Sequence, residues 1–170
     1  VSIDIKDGVV ALNEFSGNVI LDKNPVCALV SGNLMVLCKG IYDENDPSSN
    51  TESSINIVGT GSLSVQLQNT LNNVYNADNL IMNQSESYFF ITSNDGVHKI
   101  NKTSYNASMY ISSKIPTVLG INREKYWDPI DSINRNIDYL YMDDKNTPNY
   151  IYKYSLFLDV FTDSFPINVT

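Results

Sequence analysis

Histidine is almost missing from this chain: His98 is the only one in 170 residues. Cysteine occurs twice, as Cys27 and Cys38, and tryptophan once, as Trp127. These scarcities remove whole classes of chemistry. A nucleophile activated by imidazole has a single base to draw on, and no G-x-S-x-G surrounds any serine. A structural zinc site needs four ligands, mostly Cys and His; one histidine and two cysteines in one hairpin fall short. Charge is sparse too, at 18% against a usual quarter or so. The 11 basic residues are scattered, and 19 acids outnumber them to give a net charge of −8. Such a chain neither neutralises phosphates nor docks on anionic lipid. No apolar run approaches the length of a membrane helix, and the first residues lack a basic-then-apolar leader. There is no phosphate loop and no dinucleotide fingerprint; Gly59-Thr60-Gly61 interrupts an alternating stretch and reads as a bulge or bend.

Asparagine fills the gap that charge leaves, at about one residue in eight, with serine close behind and 11 tyrosines. Asn and Ser hydrogen-bond their own backbone and favour turns. AT-rich codons would produce the same bias without any structural demand.

Between the turns, side chains alternate. Tyr150–Phe161 (YIYKYSLFLDVF) reads as one long strand around which the rest is organised. Tyr150, Tyr152, Tyr154, Leu156, Leu158 and Val160 share one face. Upstream, Asp7-Gly8 and Ser16-Gly17 punctuate short strands at 2–5, 9–15 and 18–21. Val26–Ser31 and Leu34–Ile41 flank Gly32-Asn33 as a hairpin, apolar on both faces. A two-residue loop there sets Cys27 opposite Cys38 in a hydrogen-bonded pair, a geometry that strains a disulfide, so two buried thiols are expected. Further strands fall at 55–67, 80–82, 87–92, 97–101, 108–112 and 117–121. Asp128-Pro129 looks like a helix start, giving one short helix near 129–135 and then a strand at 136–142 paired with 150–161. That strand sets the Tyr150–Tyr152–Tyr154 row opposite Tyr139 and Tyr141. The expected fold is all-β: a single-domain antiparallel β-sandwich over residues 1–170, jelly-roll-like, with about 8–10 strands. No internal repeat of fixed period is visible.

Few residues promise chemistry. His98 sits in a strand, opposite in facing to Val97, and reads as a surface or cross-strand contact. The acids Asp43, Glu44, Asp46, Asp128, Asp131, Asp143 and Asp144 lie in expected loops. No pair stands out as a glycosidase couple, and neither 43–46 nor 143–146 matches a calcium loop. The sequons at Asn83, Asn101, Asn106 and Asn168 are about as many as this composition yields by chance. Of the tyrosines, most belong to the core; Tyr105, Tyr110 and Tyr126, with Trp127, lie nearer loops and are the candidates for ligand or partner contact.

No catalytic residue, metal site or cofactor is therefore expected. The function expected is that of a non-enzymatic virion structural protein: a capsid, tail, fibre or decoration subunit. It would act through contacts with other structural subunits and with copies of itself, a trimer being one symmetric form. The alternative is an extracellular carbohydrate-binding or adhesin module whose partner is a glycan. Either places the chain in a virion or outside the cell, away from nucleic acid and not inserted in a membrane.

Overall fold

The computed structural model describes residues 3–6, 9–12, 17–59, 61, 64–85 and 87–167, with side chains from Ile20 onward. The turn residues Asp7-Gly8 and Ser16, Thr60 of the glycine-flanked bend, and the sequon Asn168 lie outside them. Among the described residues fifteen strands form four antiparallel sheets, each a meander taken in chain order. The first holds β1 (Ile3–Lys6), β2 (Val9–Leu12) and β3 (Gly17–Ile20). The second holds β4 (Pro25–Ser31), β5 (Asn33–Cys38), β6 (Ser54–Val58) and β7 (Val65–Thr70). The third holds β8 (Asp78–Met82), β9 (Tyr88–Ser93), β10 (Gly96–Asn101) and β11 (Ala107–Ile111). The fourth holds β12 (Leu119–Asp128), β13 (Ile133–Met142), β14 (Tyr150–Ser155) and β15 (Val160–Pro166).

The second, third and fourth sheets stack face to face, and the fold is all-β and sandwich-like. Met35, Leu37, Ile55 and Ile57 of the second sheet meet Leu80, Phe89, Ile91 and Ile100 of the third. Phe90, Val97 and Ile111 on the third sheet's other face meet Leu119, Leu140, Met142 and Tyr154 of the fourth. Phe89 and Phe90 are adjacent, so period two sends them to opposite sides, and each anchors a different interface. Burying one such ring contributes about 1.5–3 kcal/mol. Leu34, Val36, Cys38 and Val58 are buried on the second sheet's remaining face, with Leu21 against them. The closest backbone approaches between sheets are β1 to β4, β4 to β8 and β8 to β12. Each sheet therefore meets the next through its first strand, and the sheets fan outward from that line, the radial repetition that propeller blades use.

Several expectations need correction, beginning with the strand count, about 8–10 expected against fifteen among the described residues. Jelly-roll connectivity requires Greek-key crossovers, and none joins strands within these sheets. The helix near 129–135 is instead a tight turn between β12 and β13. Asp128 Oδ1 accepts from the amides of Ile130, at 3.0 Å, and Asp131, at 3.4 Å, the same service an N-cap performs. The long strand 150–161 breaks into β14 and β15. Asp159, at φ +59°, turns the chain left-handed, its amide bonds Ser155 O at 2.9 Å, and Ser155 Oγ accepts from the Leu158 amide at 3.1 Å. Likewise 55–67 divides into β6 and β7.

The hairpin around Gly32 slips by one residue. Ser31 pairs Asn33, Cys27 pairs Leu37, and Cys38 pairs Pro25 across a bulge. A one-residue slip moves a strand's side chains to the other face. Cys27 now packs between the second and third sheets and Cys38 on the opposite face; both are free thiols. The tyrosine row suffers a similar shift. Tyr139 pairs Ser155 and Tyr141 pairs Lys153, so Tyr152 and Tyr154 share their face with Leu140 and Met142 instead.

Burial pushes the Cys27 thiol up to about 12 and the Cys38 thiol up to about 11. An unfolded thiol titrates near about 8.5. The folded state thus holds these protons more tightly. The stability they contribute is complete below pH about 8.5 and drains away as pH rises towards the folded values. Urea midpoints measured upward from pH about 8.5 should fall, and fall less in Cys38→Ala than in the parent. Equal slopes would contradict this account.

Candidate functional site

Five connections meet at one end of the fan and enclose a cleft of about 240 Å³. They are the loops after β5, β7, β9, β11 and β13. None of the walls is a regular strand for its whole length, so side chains hold them. Asp143 accepts from the Thr117 amide at 2.7 Å, from the Val118 amide at 2.9 Å and from the Thr117 hydroxyl. Asp144, only 2% exposed, accepts from Lys114 Nζ at 3.1 Å, Thr147 Oγ1 at 2.9 Å and the amides of Ile115 and Asn146. Asn79, in the left-handed region at φ +49°, donates to Thr92 Oγ1 at 3.0 Å and Thr117 O at 2.9 Å. Asn94 Nδ2 donates to the Tyr42 hydroxyl at 3.1 Å, tying the loop after β5 to the β9–β10 turn.

The cleft's chemistry is mixed. Lys39 and Lys145 bring two ammonium groups, Glu44 and Asp78 two carboxylates, Asn76 and Asn94 two amides. The ion pairs of the described residues engage Lys114, Arg123, Arg135, Lys153 and His98, not these two lysines. Two of the loop acids noted above, Asp143 and Asp144, thus build the walls, and Asp43 and Asp46 serve turns of their own, accepting from the Asn45 amide and the Ser48 hydroxyl. Among the described residues, no three His, Cys, Asp or Glu side chains converge as metal ligands.

His98 is 4% exposed and so is not a surface residue. Its Nε2 lies 2.9 Å from Asp95 Oδ1, which also accepts from Ser93 Oγ. Burial raises the Asp95 pKa, but the bonds from His98 and Ser93 outweigh it and hold the carboxyl below its ordinary value. The order of contacts matters. The serine hydroxyl bonds the carboxylate and the backbone oxygen of Gly96, not the imidazole, so no base stands ready to take its proton. The trio closes the β9–β10 turn.

The four aromatic candidates are not brought together. Tyr105 is half-buried against the core between the second and third sheets. Tyr110 packs between the third and fourth, its ring 5.6 Å from both Phe90 and Tyr154; burial and then the Asp159 carboxylate drive its hydroxyl pKa up. Tyr126 is on the outer face of β12, 6.2 Å from Phe157. Trp127, the next residue, points to the other side and is 55% exposed.

The outer face of the fourth sheet is the other conspicuous surface. At its centre Lys153 Nζ lies 2.6 Å from Glu124 and 4.1 Å from the centre of the Tyr139 ring. Hydrogen bonds from Lys153 and the Tyr141 hydroxyl hold Glu124 below its usual pKa. Around that core sit Phe157, Leu158, Val160, Phe165 and Ile167, all exposed. Of fourteen exposed large apolar side chains among the described residues, ten fall between Val118 and Ile167, so exposure of apolar surface is concentrated at this end of the chain.

Sequence reasoning missed both surfaces. The cleft draws single residues from five loops, and no local pattern marks such a set. Only Val160 and Phe161 of β15 fell within a strand read from the sequence, and the exposure of Val160 and Phe165 depends on what is stacked over them. No family model matches the chain, and no curated protein matches it.

Proposed function

We propose that this chain is a non-enzymatic structural subunit that works by protein–protein contact, with the outer face of its fourth sheet joining it to further copies of itself. The observation that carries this reading is the concentration of exposed apolar side chains on that sheet and on the turn joining β12 to β13. Each earlier interface is made by one sheet stacking on the next. Among the described residues no further sheet packs on the outer face of the fourth, and exposed apolar surface of this sort marks association sites. Lys153 and Glu124 already neutralise each other there, so covering them strands no unpaired charge. The arrangement of Ser93, Asp95 and His98 supplies no activated nucleophile, which supports the non-enzymatic part. The setting proposed is a virus particle or comparable extracellular assembly, where an acidic, weakly charged module stays clear of nucleic acid.

Light scattering coupled to size exclusion tests this. The parent should elute as a defined oligomer. Val160→Lys with Phe165→Lys should elute as a monomer with an unchanged circular dichroism spectrum, since both side chains face solvent in the single chain. A monomeric parent at every concentration measured would overturn the reading.

A further inference from the structure

We infer that the cleft at the loop end of the fan binds an uncharged saccharide, one pyranose ring at a time. This stands apart from association through the fourth sheet, because the cleft lies among the loops after β5, β7, β9, β11 and β13. Charge decides against an ionic ligand. Lys39 and Lys145 are balanced by Glu44 and Asp78, so an ion of either sign meets as many like charges as opposite ones. A hydroxyl group both donates and accepts. Neighbouring hydroxyls of a sugar therefore suit a wall where ammonium, carboxylate and amide groups are interspersed. The Lys39, Glu44 and Lys145 side chains have no hydrogen-bond or ion-pair partner among the described residues, which leaves them free to meet such a ligand.

Shape agrees with this. The cleft is about 240 Å³, below the ~300–1,000 Å³ that drug-sized ligands occupy, and fits a single ring with water. Tyr42, Ile115 and Pro116 add apolar surface on the same wall set, which the C–H face of a pyranose covers well. The walls are pre-set. Asp144 and Asn79 fix the loops on one side, and the Asn94–Tyr42 bond fixes the other, so little ordering entropy is lost on binding.

The test uses the full chain and saturation-transfer NMR with the methyl glycosides of glucose, galactose, mannose and N-acetylglucosamine. At least one should show transfer that titrates to saturation. Glu44→Gln and Lys145→Met should each weaken it by about tenfold, the loss of one charge-assisted hydrogen bond. Both residues are exposed, so the circular dichroism spectrum should not change. Glucosamine and glucuronic acid, one charge apart from glucose in opposite senses, should bind no tighter than the neutral sugar. The inference is overturned if none of the four neutral glycosides shows transfer. It is equally overturned if a charged sugar binds while the neutral ones do not, or if both variants bind as the parent does.

Discussion

Asp144→Ala should destabilise the protein by about 3 kcal/mol, the scale on which a buried ion pair fails when one partner is removed. Four donors converge on this carboxylate: the Lys114 ammonium, the Thr147 hydroxyl and the amides of Ile115 and Asn146. Alanine leaves all four without an acceptor, and an unsatisfied buried donor is the costly side of hydrogen-bond bookkeeping. Lys114 is partly exposed and recovers some hydration, which keeps the figure at the low end. Asp144→Asn retains an acceptor for the amides and loses only the charge, so it should cost about half as much. Adding Lys114→Met to Asp144→Asn should recover part of that loss, because the lysine no longer needs a counter-charge. The pH dependence has a definite sign. Burial pushes the Asp144 pKa up, but Lys114 and the other donors pull it further down, leaving it below the ordinary carboxylate value. Its stabilisation is thus present above pH about 4 and is lost as pH falls through the lower folded value. Urea midpoints from neutral pH downward should show a smaller acid loss in Asp144→Asn than in the parent. An alanine variant as stable as Asp46→Ala, an exposed turn residue, would refute the account.

That carboxylate also illustrates what can be read from the chain and what cannot. The alternation of side chains made the strands legible, and β9 and β10 fall within a residue of the pattern around Ser93-Asn94-Asp95-Gly96. Turns made by glycine-poor sequences were harder. Asp159 and Ser132 adopt positive φ with no glycine to announce it, so 150–161 read as one strand and 129–135 as a helix. Asp128 offers the same acceptor to two following amides in a hairpin turn as it would at a helix start, and only the pairing of Asp128 with Ile133 separates the two cases. The repeat was hidden by unequal connections. The second sheet's β5–β6 loop runs from 39 to 53, whereas its counterpart in the third sheet, between β9 and β10, is Asn94-Asp95 alone. Three four-stranded meanders of one design therefore carry no fixed sequence period.

The asparagine content has a structural use after all. Asn24, Asn73, Asn76 and Asn79 supply four of the seven non-glycine residues at positive φ among the described residues, a conformation Asn tolerates better than most. Asn83 is nearly buried, and its Oδ1 accepts from the amides of Ser87 and Tyr88. That sequon is engaged in holding a loop. Composition alone pointed to turns but could not say which asparagines would set the walls of the cleft.

Gly96→Ala should cost about 3–4 kcal/mol, and Gly32→Ala only about 1 kcal/mol, although both replace a hairpin glycine at positive φ. Gly32, at φ +75°, has open space where a methyl group would go. Its alanine variant therefore suffers the left-handed backbone penalty alone. Gly96, at φ +144°, would place the new carbon 2.2 Å from the Ile111 carbonyl oxygen and 3.2 Å from the Ser112 Cα. Both are backbone atoms, so no side chain can swing aside; β11 itself has to move. It cannot move cheaply, because Val97 pairs Ile111 beside a bulge at that point and both side chains are packed against the fourth sheet. The displaced turn is the one that Ser93, Asp95 and His98 close, and Asn94 at its tip holds Tyr42 across the cleft. Urea midpoints of the two variants should differ accordingly, and Gly96→Ala should also weaken any ligand of the cleft while Gly32→Ala leaves it unchanged. Equal midpoints would mean that β11 yields freely, and the third sheet would then be far softer at its edge than its buried contacts require.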